Sequence, residues 1–313
     1  MRLCRNVLRV IDAQRLADFY QDHLGMERLS ETEDRPDSVY RHRIVLGYEP
    51  VPKMHQTAQA QLELLEVDLS GPTAIAMYQP RSTDVYWKIG ITLPDVRRAQ
   101  HHLTTAGVAA SEPQQFRDIG FLCHLQDPEG FQIELLQHDF EVHHVPQPLD
   151  TDHVLGSRPT LGQITLRVTD IDANLHFYRD ILGMTLLSIQ PVEPYAFTLY
   201  FLAFTSDNPP RTDLRAVDNR EWLWRRPYTT LELQHLQRHT PDQPPLHMPR
   251  APQPGFAGIG LSCSDLQPVI TQLVAHQVAF QSDPDRDTLL IHDPQGVPIS
   301  IRYESELADA KWY

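Results

Sequence analysis

Two stretches of this chain, 158 residues apart, carry one pattern. Residues 7–26 read VLRVIDAQRLADFYQDHLGM, and residues 165–184 read TLRVTDIDANLHFYRDILGM, which sets Asp12 against Asp170, Tyr20 against Tyr178 and Gly25 against Gly183. DPEGFQIEL (127–135) is repeated as DPQGVPISI (293–301), and KIGITLPD (88–95) as GIGLSCSD (258–265). A chain of 313 residues that repeats at half its length is a tandem duplication, and the smaller repeats divide each half again. The unit is legible. Residues 3–11 alternate like a strand. Asp12 is placed to cap a helix, because its carboxylate can accept a hydrogen bond from a free first-turn amide. Leu16, Phe19, Tyr20 and His23 follow at helical spacing, and Gly25 suits a left-handed stop. Apolar strands come next, at 40–48 and 60–67 in the first copy and at 196–204 and 229–233 in the second. Asp127-Pro128 and Asp293-Pro294 open turns between strands. The order is strand, helix, three strands, four times over.

Composition narrows the partners. With 27 Lys+Arg against 41 Asp+Glu the formal charge is −14, which argues against nucleic acid or an anionic membrane surface. No apolar run approaches the length of a membrane span. Three cysteines without a CxxC spacing fit reduced thiols and a cytoplasmic location. The expected boundaries are a first half at 1–140 (modules one and two), a linker at 141–160, a second half at 161–304 (modules three and four) and a tail at 305–313. A Pro-rich crossover runs over 237–254 inside the second half. No P-loop, GxGxxG, GxSxG or HExxH is present.

The doubled LRVxD…FYxxxLGM, the IGITLPDV at 89–96, the TLEL at 230–233 and the two DPxG turns resemble the vicinal oxygen chelate superfamily, and within it double-length glyoxalase I (lactoylglutathione lyase). The resemblance implies an α+β fold in which four βαβββ modules pair into two cupped mixed sheets. It also implies a divalent metal in each cup, held by a His or Gln on a module's first strand and a Glu on its last, with a second such pair from the partner module. A metal-side glutamate then removes the proton alpha to a hemithioacetal carbonyl.

Carried onto this sequence, the ligand positions are Arg5 and Glu63 in module one, Lys88 and Glu134 in module two, Gln163 and Glu232 in module three, and Gly258 and Ser300 in module four. The double-length form implies that module one shares a cup with module four, and module three with module two. Sequential pairing, which would gather Arg5, Glu63, Lys88 and Glu134, stays open. Arg5, Glu63, Gly258 and Ser300 read as a degenerate metal site, since a guanidinium has no lone pair to give. Gln163, Glu232 and Glu134 are the surviving metal ligands, and Lys88 puts a cation among them. Glu232, Glu134 and Lys88 are therefore the expected catalytic residues. Arg9 and Arg167 each lie four residues beyond a ligand position on the same strand face, and are expected to bind a carboxylate of the substrate.

Other side chains read as structural. His235 lies three residues from Glu232 and should point away from the cup. His124 and His292 precede the DP turns on strands, where each could look inward but reads as packed or solvated, and Trp222 and Trp224 anchor a loop or cover an apolar ligand. The expectation is a glyoxalase-like protein with degenerate metal sites, binding a small carboxylate-bearing or thiol-adduct ligand, with lyase activity weak or absent. The alternative is a metal-dependent lactoylglutathione lyase, a carbon–sulfur lyase, working through one surviving site. The cofactor is none, or a weakly bound zinc or nickel ion at a single site. The partner is a small molecule, and the chain is a monomer or at most a weak homodimer.

Overall fold

The computed structural model describes all residues except 34–39, 49–58, 69–75, 147, 149, 151, 157–158, 241, 284–286 and 304–313. The tail expected at 305–313 and parts of the linker and crossover lie outside the described residues. Module one comprises β1 (Arg2–Val10), α1 (Ala13–Leu24), β2 (Glu27–Glu33), β3 (Tyr40–Gly47) and β4 (Gln61–Val67). Module two comprises β5 (Tyr86–Leu93), α2 (Val96–Thr105), β6 (Gln114–Phe116), β7 (Gly120–Gln126) and β8 (Gln132–Gln137). Module three runs through β9 (Thr160–Val168), α3 (Ile171–Leu175) with a π-helical turn at His176–Ile181, β10 (Thr185–Val192), β11 (Phe197–Ala203), α4 (Asp218–Trp224) and β12 (Thr230–Leu236). Module four is β13 (Gly255–Cys263), α5 (Leu266–Ala275), β14 (Phe280–Asp283), β15 (Thr288–His292) and β16 (Pro298–Tyr303).

The helix signals work as chemistry requires. The side chain of Asp12 accepts from the Arg15 amide, and that of Asp170 from the Ala173 amide. Asp95 and Asp265 cap α2 and α5 in the same way. Gly25 ends α1 at φ 67°, where a residue with a Cβ is disfavoured.

The strands form two eight-stranded mixed sheets. One has the order β14-β15-β16-β13-β1-β4-β3-β2 and the other β10-β11-β12-β9-β5-β8-β7-β6. The central seams, β1 with β13 and β5 with β9, are antiparallel. Module one thus pairs with module four, and module two with module three, so each sheet draws on both halves of the sequence. Sequential pairing, which the sequence left open, is not what the chain does. One face of each sheet joins the helices in a continuous apolar core that includes Leu8, Ile91, Leu166 and Ile259. Tyr86 and Phe256, on equivalent strands, stack there with ring centroids 4.5 Å apart. The opposite faces carry the cups.

The repeated FY and DPxG motifs fasten modules that share no sheet. The Tyr20 hydroxyl donates to Asp127 at 3.0 Å, joining module one to module two, and Tyr178 donates to Asp293 at 2.8 Å, joining three to four. The other carboxylate oxygen of each aspartate closes its own turn by accepting two backbone amides. Glu129 adds to the first fastener, accepting from the amides of Ile11 and Asp12. Burial pushes Asp127 up to about 7 and Asp293 up to about 6, against the pull of these hydrogen bonds.

A pH dependence follows. A carboxyl whose pKa is higher folded than unfolded costs stability as pH rises from its unfolded value, near 4, through its folded value. Asp127→Asn keeps the turn-closing oxygen and removes the buried charge. At pH 8 the variant is expected to be more stable than the parent by about 1–3 kcal/mol, a gain that shrinks toward pH 4. Thermal melts between pH 4 and 8 measure this, and a pH-independent difference between the two proteins would contradict it.

Candidate functional site

The second cup is built from β9, β12, β5 and β8. On β9, Gln163, Thr165 and Arg167 alternate onto one face, and Glu232 on β12 is in register with Thr165. Gly90 on β5 pairs with both Gln163 and Glu134. A Cβ at Gly90 would lie 2.2 Å from Gln163 Cγ, so only glycine lets the glutamine side chain cross there. The structure thereby gathers the four second-cup positions read from the sequence.

Their contacts form one network. Lys88 Nζ lies 2.7 Å from Glu134 Oε1 and 3.5 Å from Glu232 Oε2. Gln163 Nε2 donates to Glu134 Oε1 at 2.8 Å, and the Thr165 hydroxyl donates to Glu232 Oε2 at 2.6 Å. His124 Nε2 sits 3.0 Å from the other oxygen of Glu134. The Lys88 side chain is only 2% exposed, yet it stays charged. Burial pulls its pKa down, but the two carboxylates more than offset this and leave it raised. Burial also acts on the glutamates, with opposite outcomes. At Glu134 the close ammonium and His124 outweigh burial and hold the carboxyl at about 2. At Glu232 the ammonium is farther away, burial prevails and the carboxyl is raised.

Above this floor lies a cavity of about 300 Å³ with mostly apolar walls, among them Trp87, Phe116, Leu122, Phe197, Phe201 and Trp224. Trp87 reaches it because β5 bulges between Tyr86 and Lys88, so that consecutive residues line the same side. The Lys88 ammonium lies 4.7 Å from the centre of the Trp87 ring. Trp224 is both wall and anchor, its indole N–H donating to the Ile119 carbonyl at 3.1 Å.

Neither expected substrate arginine lines this cavity. Arg167 stacks on Trp87 and donates to the side chain of Gln234 and to the carbonyls of Arg81, Asp84 and Tyr86. Arg9 is buried in the other sheet and donates to the carbonyls of Pro249, Gln253 and Phe256, tying down the Pro-rich crossover. His235 is not among the cavity residues, as the strand alternation predicts.

In the first cup Glu63 is fully buried between two arginines, with Arg5 Nε at 3.4 Å and Arg43 Nε at 3.2 Å. Ser300 is buried on β16. Gly258 has φ 142°, and a Cβ there would stand 2.3 Å from the Pro298 carbonyl oxygen, so a histidine does not fit. Among the described residues no group of three or more His, Cys, Asp or Glu side chains is gathered to hold a metal ion.

Thr165 and Trp87 escaped the sequence reading, and His124, read there as packed or solvated, instead meets Glu134 in the cup. His124 was reachable by hairpin arithmetic, since the DPEG turn sets residue 124 opposite 134. Thr165 was reachable by alternation from Gln163. Trp87 was not, because nothing local marks the bulge.

The sequence matches the profile of the Glyoxalase/Bleomycin resistance protein/Dioxygenase superfamily over residues 3–135 and 160–301. The chain belongs to this superfamily. It is 25% identical to glyoxalase I of Saccharomyces cerevisiae over 317 aligned positions, covering 94% of this chain and 90% of the yeast protein. A lactoylglutathione lyase of Pseudomonas aeruginosa is 32% identical over 139 positions, which is 44% of this chain and 77% of the relative. The crystal structure of glyoxalase I from Zea mays superposes with a TM-score of 0.65 at 20% identity, covering 96% of this chain and 91% of that one. This last likeness is one of fold. Within the superfamily, the chain is glyoxalase-I-like in its double length and its two curled sheets. Among the described residues no helix is long and apolar enough to cross a membrane.

Proposed function

We propose that this glyoxalase-I-like protein binds a small molecule in its second cup, that the Lys88 ammonium there takes the place of a divalent metal, and that hemithioacetal lyase activity is weak or absent. The observation that carries this reading is the position of Lys88 Nζ, buried between Glu134 and Glu232. An ammonium has no lone pair to coordinate with, and it repels a cation. Gln163, Glu134 and Glu232 beside a protonated lysine therefore do not fit a divalent ion. Glu134, held at about 2, is a weak base for proton abstraction. In the first cup, Arg5, Gly258 and Ser300 leave Glu63 as the one conventional ligand among the four family positions. Each cup is completed within one chain, so binding needs no second copy.

The metal-dependent reading keeps one point in its favour. Gln163 Oε1 is buried without a hydrogen-bond partner among the described residues, as a metal ligand awaiting its ion would be. Turnover separates the two. With the methylglyoxal–glutathione hemithioacetal, kcat/KM is expected to fall about 10³-fold or more below yeast glyoxalase I assayed alongside, with and without added zinc or nickel. Zinc-stimulated turnover at the yeast level would overturn the proposal.

A further inference from the structure

Resting on that reading, we infer that the second cup takes a neutral, planar, largely apolar molecule and discriminates against carboxylates. The first ground is that the charges on the floor are already matched to one another. Lys88 faces two carboxylates, Glu134 receives Lys88, Gln163 and His124, and Glu232 receives Thr165 and Lys88. One cation against two glutamates leaves no surplus positive charge for an anion entering the cup. An entering carboxylate would have to draw Lys88 away from Glu134 and leave that glutamate buried without its cation, an expensive exchange.

The second ground is the position of the arginines. Arg167 and Arg9 are the residues the strand alternation offered as carboxylate forks. Arg167 turns its Nε and Nη1 to protein acceptors outside the cavity, and Arg9 lies in the other sheet.

The third ground is the wall. Trp87, Phe116, Phe197, Phe201 and Trp224 present ring surface to the space. Aromatic rings gain most from a flat apolar partner. The half-exposed His124, 38% accessible, and Gln163 Oε1, unpaired among the described residues, are lining groups able to meet one hydrogen-bonding substituent. A volume of about 300 Å³ lies at the small end of ligand sites. It suits one or two fused rings rather than a tripeptide adduct that carries two carboxylates and an ammonium.

The test uses a matched pair of probes on the full-length, tag-free protein at pH 7, 2-naphthol and 2-naphthoate. They share a ring system and differ in charge. Calorimetric titration is expected to show saturable binding of one 2-naphthol per chain, with 2-naphthoate at least about tenfold weaker. Trp87→Ala, which removes one ring from the wall, is expected to weaken 2-naphthol about five- to tenfold. Naphthoate binding as tightly as naphthol would overturn the inference, and so would the absence of any naphthol binding. Neither result bears on whether Lys88 replaces a metal. Naphthol binding that appears only after zinc is added would instead overturn the metal-free reading.

Discussion

Lys88→Met is expected to cost about 3–5 kcal/mol of stability at neutral pH, a larger loss than removing a surface charge would bring. Methionine nearly matches the length of the side chain, so the loss is electrostatic. Glu134 and Glu232, both buried, would face each other with no cation between them. The variant should regain stability on acidification, because carboxyls whose folded pKa is raised cost stability only as pH rises through the carboxylate range. The parent behaves in the opposite sense at Glu134. With that group held at about 2, its contribution is complete above the unfolded value near 4.5 and is lost as pH falls toward 2. Adding Glu134→Gln and Glu232→Gln to Lys88→Met should restore most of the loss, since neutral amides need no counter-charge. Denaturant melts of the parent, the single and the triple variant measure this. A single variant within about 1 kcal/mol of the parent would mean that Lys88 does not balance the glutamates.

Lys88→His is expected to create a zinc site. The change removes the repelling ammonium and offers a neutral imidazole beside Gln163, Glu134 and Glu232, a nitrogen and oxygen set that zinc accepts. Affinity for zinc should rise at least about 100-fold over the parent in a competition titration with a chromogenic chelator. Lys88→Met serves as the control, because it removes the repulsion without supplying a ligand and should gain much less. An unchanged affinity in Lys88→His would mean that the cup has been remodelled beyond the four positions.

The repeat at offset 158 made most of the fold legible, because each copy carries its own strand alternation, aspartate cap and glycine stop. The same repeat could not say which modules share a sheet, since its motifs describe units and not their partners. Tyr20–Asp127 and Tyr178–Asp293 join modules that lie in different sheets, so the repeated motifs do not mark sheet partners. The four second-cup residues were readable from spacing and family resemblance together, and the structure brings them within hydrogen-bonding reach of one another.

What the sequence hid was competition for those side chains. Alternation placed Arg9 and Arg167 on a strand face correctly, but it carries no information about which distant backbone arrives there. The Pro-rich crossover brings carbonyls to Arg9, and the segment before β5 brings them to Arg167. Arg43 was hidden for the same reason, since its pairing with Glu63 depends on how β3 lies against β4.

If Lys88 stands where the superfamily places its metal, elemental analysis will find the protein without one. The protein is purified tag-free and without chelators, because sixteen histidines make affinity resins a source of stray nickel. Well below one equivalent of zinc, nickel or any other divalent transition metal per chain is the expected result. One tightly held equivalent per chain, retained through dialysis and absent from a Glu134→Gln, Glu232→Gln variant, would contradict it.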